Sequence, residues 1–516
     1  MRLHELKIND FKFFQEVEPN NPLLHINGRN LLIYGENGSG KSTIYWALYT
    51  LLECSLKERD SDIRKYFIKS GNDSLVNIFS ANRNDSYVEA VLRDSSSTKI
   101  YRVSKKSRDL SIRGNADVQE SNMASDFINY RVLFQLHNLK HSKSNNLWLW
   151  FVEEVLPYIK INNDPCLGLL KKLKNGPEKV KNIQGEFVFP TASLRTSRVE
   201  QEAKNYKKYK DYKKNLKRWN DWLVGFLNDI SLRANVLILD EFKFKFKIKL
   251  EFKQKPFVVS DNEFKFYEPE IIISIPEFQG INNPHIKKPH TFLNEAKWSA
   301  IGLSIRFSVL DFKLYSAELK TLVIDDMLLS LDMSNRDVVL DLLLNRYSAD
   351  YQLIFMTHDR FLFELTKSKI SSLGQNNWMC LDMFENENGG KPKPLIIERK
   401  NLIQKAWSFF YARELDSSAH ILRKASEKLC KTYLTRQERL NTNYSQKNLH
   451  EMIEAFKVKG VSNGLDIIKL NKLMDYKNRI LNPSSHYDIE TPIFKVELEK
   501  AIIVVEELST ELGYNI

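Results

Sequence analysis

The chain has 516 residues, a length typical of roughly two to four domains, and 77 Lys and Arg against 65 Asp and Glu give it a net charge of +12. A hydrophobic fraction of 42% with 11% aromatic residues excludes a disordered or fibrous chain. Four widely spaced cysteines without a CxxC pair argue against a zinc knuckle or a disulfide framework, and the simplest compartment is a reducing cytoplasm.

The N-terminal segment 3–10 alternates like a β-strand and carries charge, unlike a signal peptide. No run of about 18 apolar residues predicts a membrane span anywhere in the sequence. The excess positive charge indicates an anionic partner without identifying it.

A phosphate-binding loop follows at 35–42, where GENGSGKS satisfies G-x-x-x-x-G-K-[ST] between an apolar strand and a helix. Glycines at these positions let backbone N–H groups curl around phosphate oxygens at a helix N-terminus. Lys41 is expected to reach the β- and γ-phosphates, and Ser42 to hold Mg²⁺. The residues predicted to bind nucleotide here are Gly35, Asn37, Gly38, Gly40, Lys41, Ser42 and Thr43.

Residues 147–230 are predicted to be mostly helical, and 196–232 could form a short helical hairpin or stalk. A basic run at 203–218 carries tyrosines at every third position, Tyr206, Tyr209 and Tyr212. One interpretation is a phosphate-tracking surface with rings that stack on bases. The other is a solvated helix with a tyrosine packing stripe. The lysines predicted to contact nucleic acid are Lys204, Lys207, Lys208, Lys210 and Lys214.

The segment 241–275 is predicted to form strands, since EFKFKFKIKLEFKQK alternates almost perfectly. Its aromatic and aliphatic residues fall on one face, including Phe246, Ile248 and Leu250, and its lysines fall on the other. The lysine face is either a solvated edge that blocks aggregation or a second surface for nucleic acid.

A second half of the nucleotide site is predicted at TLVIDD, 321–326, an apolar strand that ends in two carboxylates. Asp325 at the strand end is placed to bind Mg²⁺, and Asp326 to orient or activate the attacking water. Taken alone, the pattern is equally typical of a buried strand that ends in a polar turn.

The order of these motifs resembles an ABC-type ATPase head of the SMC/RecF/RecN-like branch. The residues that carry the resemblance are the phosphate loop, LNEAKWSA at 293–300, TLVIDD, SLD at 330–332 and a histidine after an apolar strand. The resemblance implies an α/β P-loop head that uses ATP and Mg²⁺. It further implies that Gln135 senses Mg²⁺ and the γ-phosphate, that Asp332 lies at a dimer seam, and that His358 contacts the γ-phosphate.

The signature segment departs from that family, which usually has a serine and two glycines where this chain has Asn294, Glu295 and Ala296. Asn294 can still donate a side-chain hydrogen bond to a phosphate of the opposite subunit, whereas Glu295 would repel it unless it points away. The catalytic carboxylate is usually a glutamate, and Asp326 is one methylene shorter. We therefore expect slow hydrolysis, with the nucleotide acting partly as a clamp.

The C-terminal part turns strongly helical after the loop at 386–394. Arg479 and His486 form an R-x6-H pattern, and the tail resembles HEPN-like helical domains in which Arg and His can cleave RNA. The alternative is a dimerisation or docking module in which Pro483, His486 and Asp488 fix a helix connection.

The arrangement of a head, a short insertion and a helical tail resembles the PtuA-type ATPases of Septu and retron-associated Septu anti-phage systems. The residues that carry most of this resemblance are 322–336 and 479–488. The resemblance implies a head-to-head dimer or higher homo-oligomer and a PtuB-like HNH nuclease that the ATPase restrains. In retron versions it also implies a reverse transcriptase with its msDNA and ncRNA. A HEPN ribonuclease toxin and a RecF-like DNA repair ATPase are the alternatives. The expected parts are an N-terminal head lobe at 1–146, a helical insertion at 147–235, a C-terminal head lobe at 236–395 and an all-α HEPN-like domain at 396–516.

Overall fold

The computed structural model describes residues 1–15, 24–80, 85–129, 131, 145–161, 164–181, 186–190, 200–260, 262–284, 286, 288–310, 312, 317–388, 390–481, 494–514 and 516. The mixed α/β chain separates into two compact units. The first contains Met1–Arg360 and Met383–Leu395, and the second contains Phe361–Asp382 and Ile396–Ile516.

The N-terminal part builds one sheet and begins a second. Its elements are β1 (Arg2–Asn9), β2 (Leu24–His25), β3 (Asn30–Gly35), α1 (Lys41–Glu53), α2 (Asp60–Arg64), β4 (Tyr87–Arg93), β5 (Thr98–Ser104), α3 (Ala116–Ala124) and β6 (Asp126–Asn129). The alternating segment 3–10 forms the predicted strand, β1, which lies in an antiparallel sheet of order β2-β1-β4-β5.

The insertion is only partly helical, because short strand pairs lie between its helices. Its elements are α4 (Trp148–Glu154), β7 (Lys160–Ile161), β8 (Asp164–Pro165), α5 (Cys166–Lys174), β9 (Val180–Lys181), β10 (Phe187–Val188) and α6 (Glu200–Val236). The predicted hairpin or stalk is instead the single 37-residue helix α6. Its apolar face, with Trp219, Leu223 and Ile230, is buried in a shared core and therefore does not project as a free stalk.

The alternating segment forms strands that start later than expected, since Leu237–Glu241 continues α6 as a π-helical turn. Phe246, Ile248 and Leu250 are buried, which confirms the apolar face. The strands are β11 (Phe246–Lys253), β12 (Phe257–Val259), β13 (Phe264–Phe266), β14 (Glu270–Phe278) and β15 (Ile281–Asn282).

The lysine face of β11 is partly neutralised by carboxylates. Lys247 pairs with Glu277 at 2.7 Å, and Lys249 pairs with Glu251 at 3.5 Å. Because β11 is also the edge of its three-stranded sheet, these charges favour the interpretation as a solvated edge.

The central sheet has the order β19-β18-β3-β17-β16-β6, and β6, β16, β17 and β3 pair in parallel. Parallel strands buried on both faces read as continuous apolar runs, as in TLVID and QLIFMT, which are buried throughout. The elements of this part are α7 (Pro289–Phe292), α8 (Glu295–Leu310), β16 (Thr321–Asp325), α9 (Met333–Leu342), β17 (Gln352–Thr357), α10 (Arg360–Ser372), β18 (Trp378–Asn388) and β19 (Lys391–Glu398).

The C-terminal part is all-helical over the described residues from Leu402 onward, apart from an isolated bridge between Leu440 and Gln446. Its helices surround a core of their own that includes Leu422, Phe456 and Leu498. The helices are α11 (Leu402–Tyr411), α12 (Leu415–Tyr433), α13 (Leu449–Ser462), α14 (Ile467–Tyr476) and α15 (Lys495–Glu511).

One stretch among the described residues, Lys207–Glu241, is long and apolar enough to cross a membrane by length and composition alone. Almost half of its most apolar window is buried, as in the core helix of a folded domain, so this is weak evidence for a span.

Candidate nucleotide-binding site

The predicted nucleotide residues meet at the carboxyl ends of three neighbouring parallel strands. Tyr34 of β3 pairs with Thr357 of β17, and Met356 of β17 pairs with Asp325 of β16. The turns that follow these strands therefore converge on one edge of the sheet, where ligands bind in open α/β folds.

The phosphate loop depends on glycines with left-handed backbone. Gly38 has φ +90° and Gly40 has φ +98°. A Cβ on Gly40 would lie 2.7 Å from Cδ1 of Phe13, so this position excludes any side chain. The loop leads directly into α1, whose free N–H groups and dipole favour an anion.

Lys41 is buried and bends back over its own loop. Its Nζ donates to the carbonyl oxygens of Gly35 at 2.6 Å and Glu36 at 3.1 Å. Burial lowers the pKa of Lys41, while the charges of Asp326 and Asp325 raise it. The ammonium group therefore lies within the loop, held by carbonyl oxygens that a phosphate can replace.

Asp325 and Ser42, the two residues expected to bind Mg²⁺, are in direct contact. The Ser42 hydroxyl donates to the Asp325 carboxylate, and burial raises the pKa of Asp325 to about 6. The Oδ1 atom of Asp325 is buried and has no hydrogen-bond partner among the described atoms. A hydroxyl and an unsatisfied carboxylate oxygen are the donors that Mg²⁺ prefers, so these residues fit the ion.

Asp326 is tied to the next strand end. Its Oδ1 accepts the backbone N–H of His358 at 2.8 Å and lies 3.0 Å from Nδ1 of the same histidine. Its own N–H donates to Met356 O at 3.0 Å, and its φ is +49°. The carboxylate predicted to direct water and the histidine predicted to contact phosphate are therefore direct neighbours.

Asp332 begins helix α9. Its carboxylate accepts the backbone N–H of Asn335 at 2.9 Å and the Asn335 side-chain amide at 3.1 Å. Arg336, one residue further, donates to Asp359 at 2.6 Å. This ion pair holds the residue after His358, a contact that sequence patterns did not indicate. Asp332 is exposed, and its seam role stays a prediction.

The signature segment lies at the start of α8. Asn294 caps the helix, since its side-chain oxygen accepts the N–H of Lys297 at 3.1 Å. Asn294 and Glu295 are exposed, and Ala296 is half-buried. The side-chain amide of Asn294 thus remains able to donate while its oxygen serves the cap. Gln135 lies outside the described residues.

Arg306 on α8 is a buried charged residue of the first unit that sequence patterns did not indicate. It is fully buried and donates twice to Asp126 on β6, at 3.0 and 2.6 Å, and also to the carbonyl of Glu154. Burial alone would lower the pKa of Arg306, but the charges of Asp126 and Glu154 raise it. A lone arginine in the apolar helix EAKWSAIGLSIRFSVL was the available signal, because a buried charge needs a partner.

Two tyrosines of the stripe on α6, Tyr209 and Tyr212, pack against the body of the protein. Tyr212 is buried and donates to Leu173 O at 2.9 Å, and its ring packs edge-on against Phe257. Tyr209 is half-buried against the same phenylalanine. Tyr212 is therefore buried away from any base and Tyr209 is partly covered, which favours the interpretation as a packing stripe for these two rings.

The basic residues of α6 mostly face solvent. Lys207, Lys208, Lys210 and Lys214 are exposed, and Lys208 pairs with Glu178 at 3.0 Å. The side chains of Lys204 and Tyr206 lie outside the described part of the helix. The surface can thus contact phosphates through its lysines but offers less aromatic area than expected.

The predicted HEPN pair is only half described. Arg479 is exposed and pairs with Glu497 at 3.2 Å. His486, Pro483 and Asp488 lie outside the described residues. The pairing of Arg479 with a carboxylate reduces its availability to a phosphate.

A protein-family model described as "AAA domain" matches residues 5–255, which include the phosphate loop, the insertion and β11. A comparison with curated proteins gave no match.

Solved structures similar to this chain include the SMC head domain from Thermotoga maritima, with 17% identity, a TM-score of 0.32 and coverage of 77% of this chain and 100% of that chain. Another is an Smc head with an extended coiled coil bound to the C-terminal domain of ScpA, from Pyrococcus furiosus. It has 14% identity and a TM-score of 0.40, and the match covers 80% of this chain and 99% of that chain. The recombination mediator protein RecF with ATP has 12% identity and a TM-score of 0.41, with coverage of 77% of this chain and 97% of that chain. These TM-scores are below 0.5, and no functional conclusion rests on them.

Proposed function

We propose that the chain is an ATP-binding, slowly hydrolysing ATPase whose head is of the SMC/RecF-like type. The observation that carries this proposal is the convergence of Lys41, Ser42, Asp325, Asp326 and His358 on one edge of a parallel sheet. The match of residues 5–255 to an AAA domain supports it.

Binding begins at the phosphate loop. Backbone N–H groups of the loop and of α1 take the phosphate oxygens, and Lys41 exchanges the carbonyls of Gly35 and Glu36 for the β- and γ-phosphates. Ser42 and Asp325 would hold Mg²⁺, and the bound ion would offset charge on the phosphates.

Hydrolysis depends on Asp326 orienting a water and accepting its proton, with His358 donating to the γ-phosphate. The short carboxylate of Asp326 is already engaged by the N–H of His358. Its reach toward a water at the γ-phosphate is therefore limited, which is the physical reason for slow turnover.

Slow turnover suits a nucleotide that clamps two heads. The exposed start of α8 presents Asn294 and free helix N–H groups to the nucleotide of a second copy. In this arrangement Lys41 and Asp325 come from one copy and Asn294 from the other. Asp332 lies at the seam between them.

The biological setting we propose is an anti-phage defence complex, in which the ATPase is a sensor scaffold that restrains an HNH nuclease. A retron reverse transcriptase with its msDNA would join in some versions. This part rests on the resemblance of 322–336 and 479–488 to PtuA-type ATPases. Exposed lysines of α6 offer a contact for nucleic acid.

The test is equilibrium binding of ATP with Mg²⁺ to the wild-type chain and to Lys41→Ala, with Lys424→Ala as control. Lys424 is an exposed lysine of α12, outside the site. We expect binding to weaken about a hundredfold in Lys41→Ala and to stay unchanged in the control, because a charge-assisted contact to phosphate is lost. Equal binding by all three proteins would refute the site.

A further inference from the structure

The C-terminal unit carries an open cavity of about 650 Å³ that the ATPase function does not use. It lies along α11, beside the face of α15 that contains Glu506. The residues that line it are Glu398, Lys400, Gln404, Trp407, Ser408, Tyr411 and Glu506.

Two aromatic rings form its wall. Trp407 and Tyr411, one helical turn apart, stack with centroids 5.6 Å apart and an interplanar angle of 18°. Trp407 packs partly on the core and donates its indole N–H to Glu506 at 3.0 Å, so this ring is fixed. Tyr411 is 73% exposed, although a tyrosine ring gains much from burial. The pair therefore presents a rigid, uncovered aromatic surface.

The charge around these rings is acidic. Glu398 and Glu506 both line the cavity against one cation, Lys400, which donates to the Ser408 hydroxyl at 2.6 Å, so the lining remains net negative. A carboxylate beside exposed ring faces is the environment that binds an organic cation, through cation–π attraction and an ion pair together. The same carboxylates disfavour phosphate, which argues against nucleic acid here.

We infer that this cavity is a docking site for an arginine side chain on a partner protein. The planar guanidinium stacks on Tyr411 while its N–H groups bond the carboxylate of Glu506. An ammonium group is more strongly hydrated and cannot stack, so lysine is the poorer ligand. Charge complementarity carries the choice of occupant, since the lining has two carboxylates against a single ammonium group.

The face of α15 next to the cavity extends the surface for a peptide. Ile503, 39% exposed, lies one turn before Glu506, and Val496, 59% exposed, lies two turns before Ile503. Helix α15 runs antiparallel to α11, as Trp407 meets Glu506 and Lys495 lies over Phe410. An apolar strip beside an aromatic anchor is typical of a protein-binding surface.

The experiment measures binding of a fluorescent arginine nonapeptide to the full-length chain, with a lysine nonapeptide as comparison. We expect the arginine peptide to bind, and Tyr411→Ala and Glu506→Gln each to weaken it by about tenfold. The amide oxygen introduced by Glu506→Gln can still accept the Trp407 indole N–H, so this variant tests the charge without removing that contact. Tyr411→Phe keeps the ring and should retain most of the affinity.

The matched control is Tyr444→Ala, which removes a tyrosine that is 84% exposed in the same unit and outside the cavity. It should leave binding unchanged. Equal affinity of the lysine and arginine peptides, or wild-type affinity in the double variant of Tyr411→Ala and Glu506→Gln, would overturn the inference. Because the site does not involve the phosphate loop, Lys41→Ala should bind the arginine peptide normally.

Discussion

The carboxylate of Asp326 accepts the backbone N–H of His358 at 2.8 Å and lies 3.0 Å from the ring Nδ1 of the same residue. Two strand ends, β16 and β17, are thus joined through the two residues that we propose to act in hydrolysis. This contact holds both side chains in place and at the same time keeps the carboxylate close to the sheet.

Lengthening this side chain should speed hydrolysis. In Asp326→Glu the added methylene lets the carboxylate pass His358 and approach a water at the γ-phosphate, and we expect turnover to rise about tenfold. Asp326→Asn should bind ATP normally and hydrolyse it at least about a hundredfold more slowly, since it cannot take a proton. Steady-state phosphate release measures both variants. A slower Asp326→Glu would show that reach does not limit the rate.

Nucleotide binding with Mg²⁺ should weaken in acid. Burial raises the pKa of Asp325 to about 6, above its usual 3.8, so the carboxyl of the folded chain takes up a proton as the pH falls through 6. Protonation of this carboxyl makes the folded state more stable as the pH falls from about 6 to about 4. It also removes the negative charge that binds Mg²⁺.

We therefore expect the Mg²⁺-dependent affinity for ATP to fall about tenfold more between pH 7 and 5 in the wild type than in Asp325→Asn. The variant lacks the titrating group and reports the pH dependence of the nucleotide itself. Identical pH profiles of the two proteins would contradict the role of Asp325.

The geometry of the phosphate loop predicts that Gly40→Ala abolishes nucleotide binding. Its φ of +98° is unfavourable for alanine, and the new Cβ would lie 2.7 Å from Phe13. Gly225→Ala is the control, because Gly225 lies in helix α6 with no neighbouring atom within 4 Å of its added Cβ. That change should raise the free energy of unfolding by about 0.5–1 kcal/mol and leave binding intact. Binding of ATP by Gly40→Ala would refute the loop conformation.

Removing Arg306 should destabilise the first unit. Arg306→Met leaves the carboxylate of Asp126 buried without its partner, at a cost of about 3–5 kcal/mol in the free energy of unfolding. Arg306→Met with Asp126→Leu removes both charges and should recover part of that loss. Urea unfolding compares the three proteins. Equal stability of the wild type and Arg306→Met would show that the pair contributes little.

Local sequence patterns were sufficient to place the phosphate loop, the paired aspartates and the alternating strand. In the first two, the chemistry lies within a few consecutive residues at the end of an apolar strand, and in the third the alternation itself sets which face is buried. The role of Tyr212 stayed open between base stacking and packing, because a three-residue repeat does not tell which ring meets Phe257. Arg306 was missed because Asp126, its partner, is distant in sequence. The cap formed by Asn294 and the fold-back of Lys41 depend on turns whose conformation only the structure gives.

The steady-state rate of ATP hydrolysis by the wild-type chain with Mg²⁺ tests the central claim most directly. The constrained carboxylate of Asp326 predicts measurable hydrolysis at no more than about one turnover per second, the low end for enzymes, lost in Lys41→Ala. A rate of tens of turnovers per second, or hydrolysis that survives in Lys41→Ala, would contradict the account.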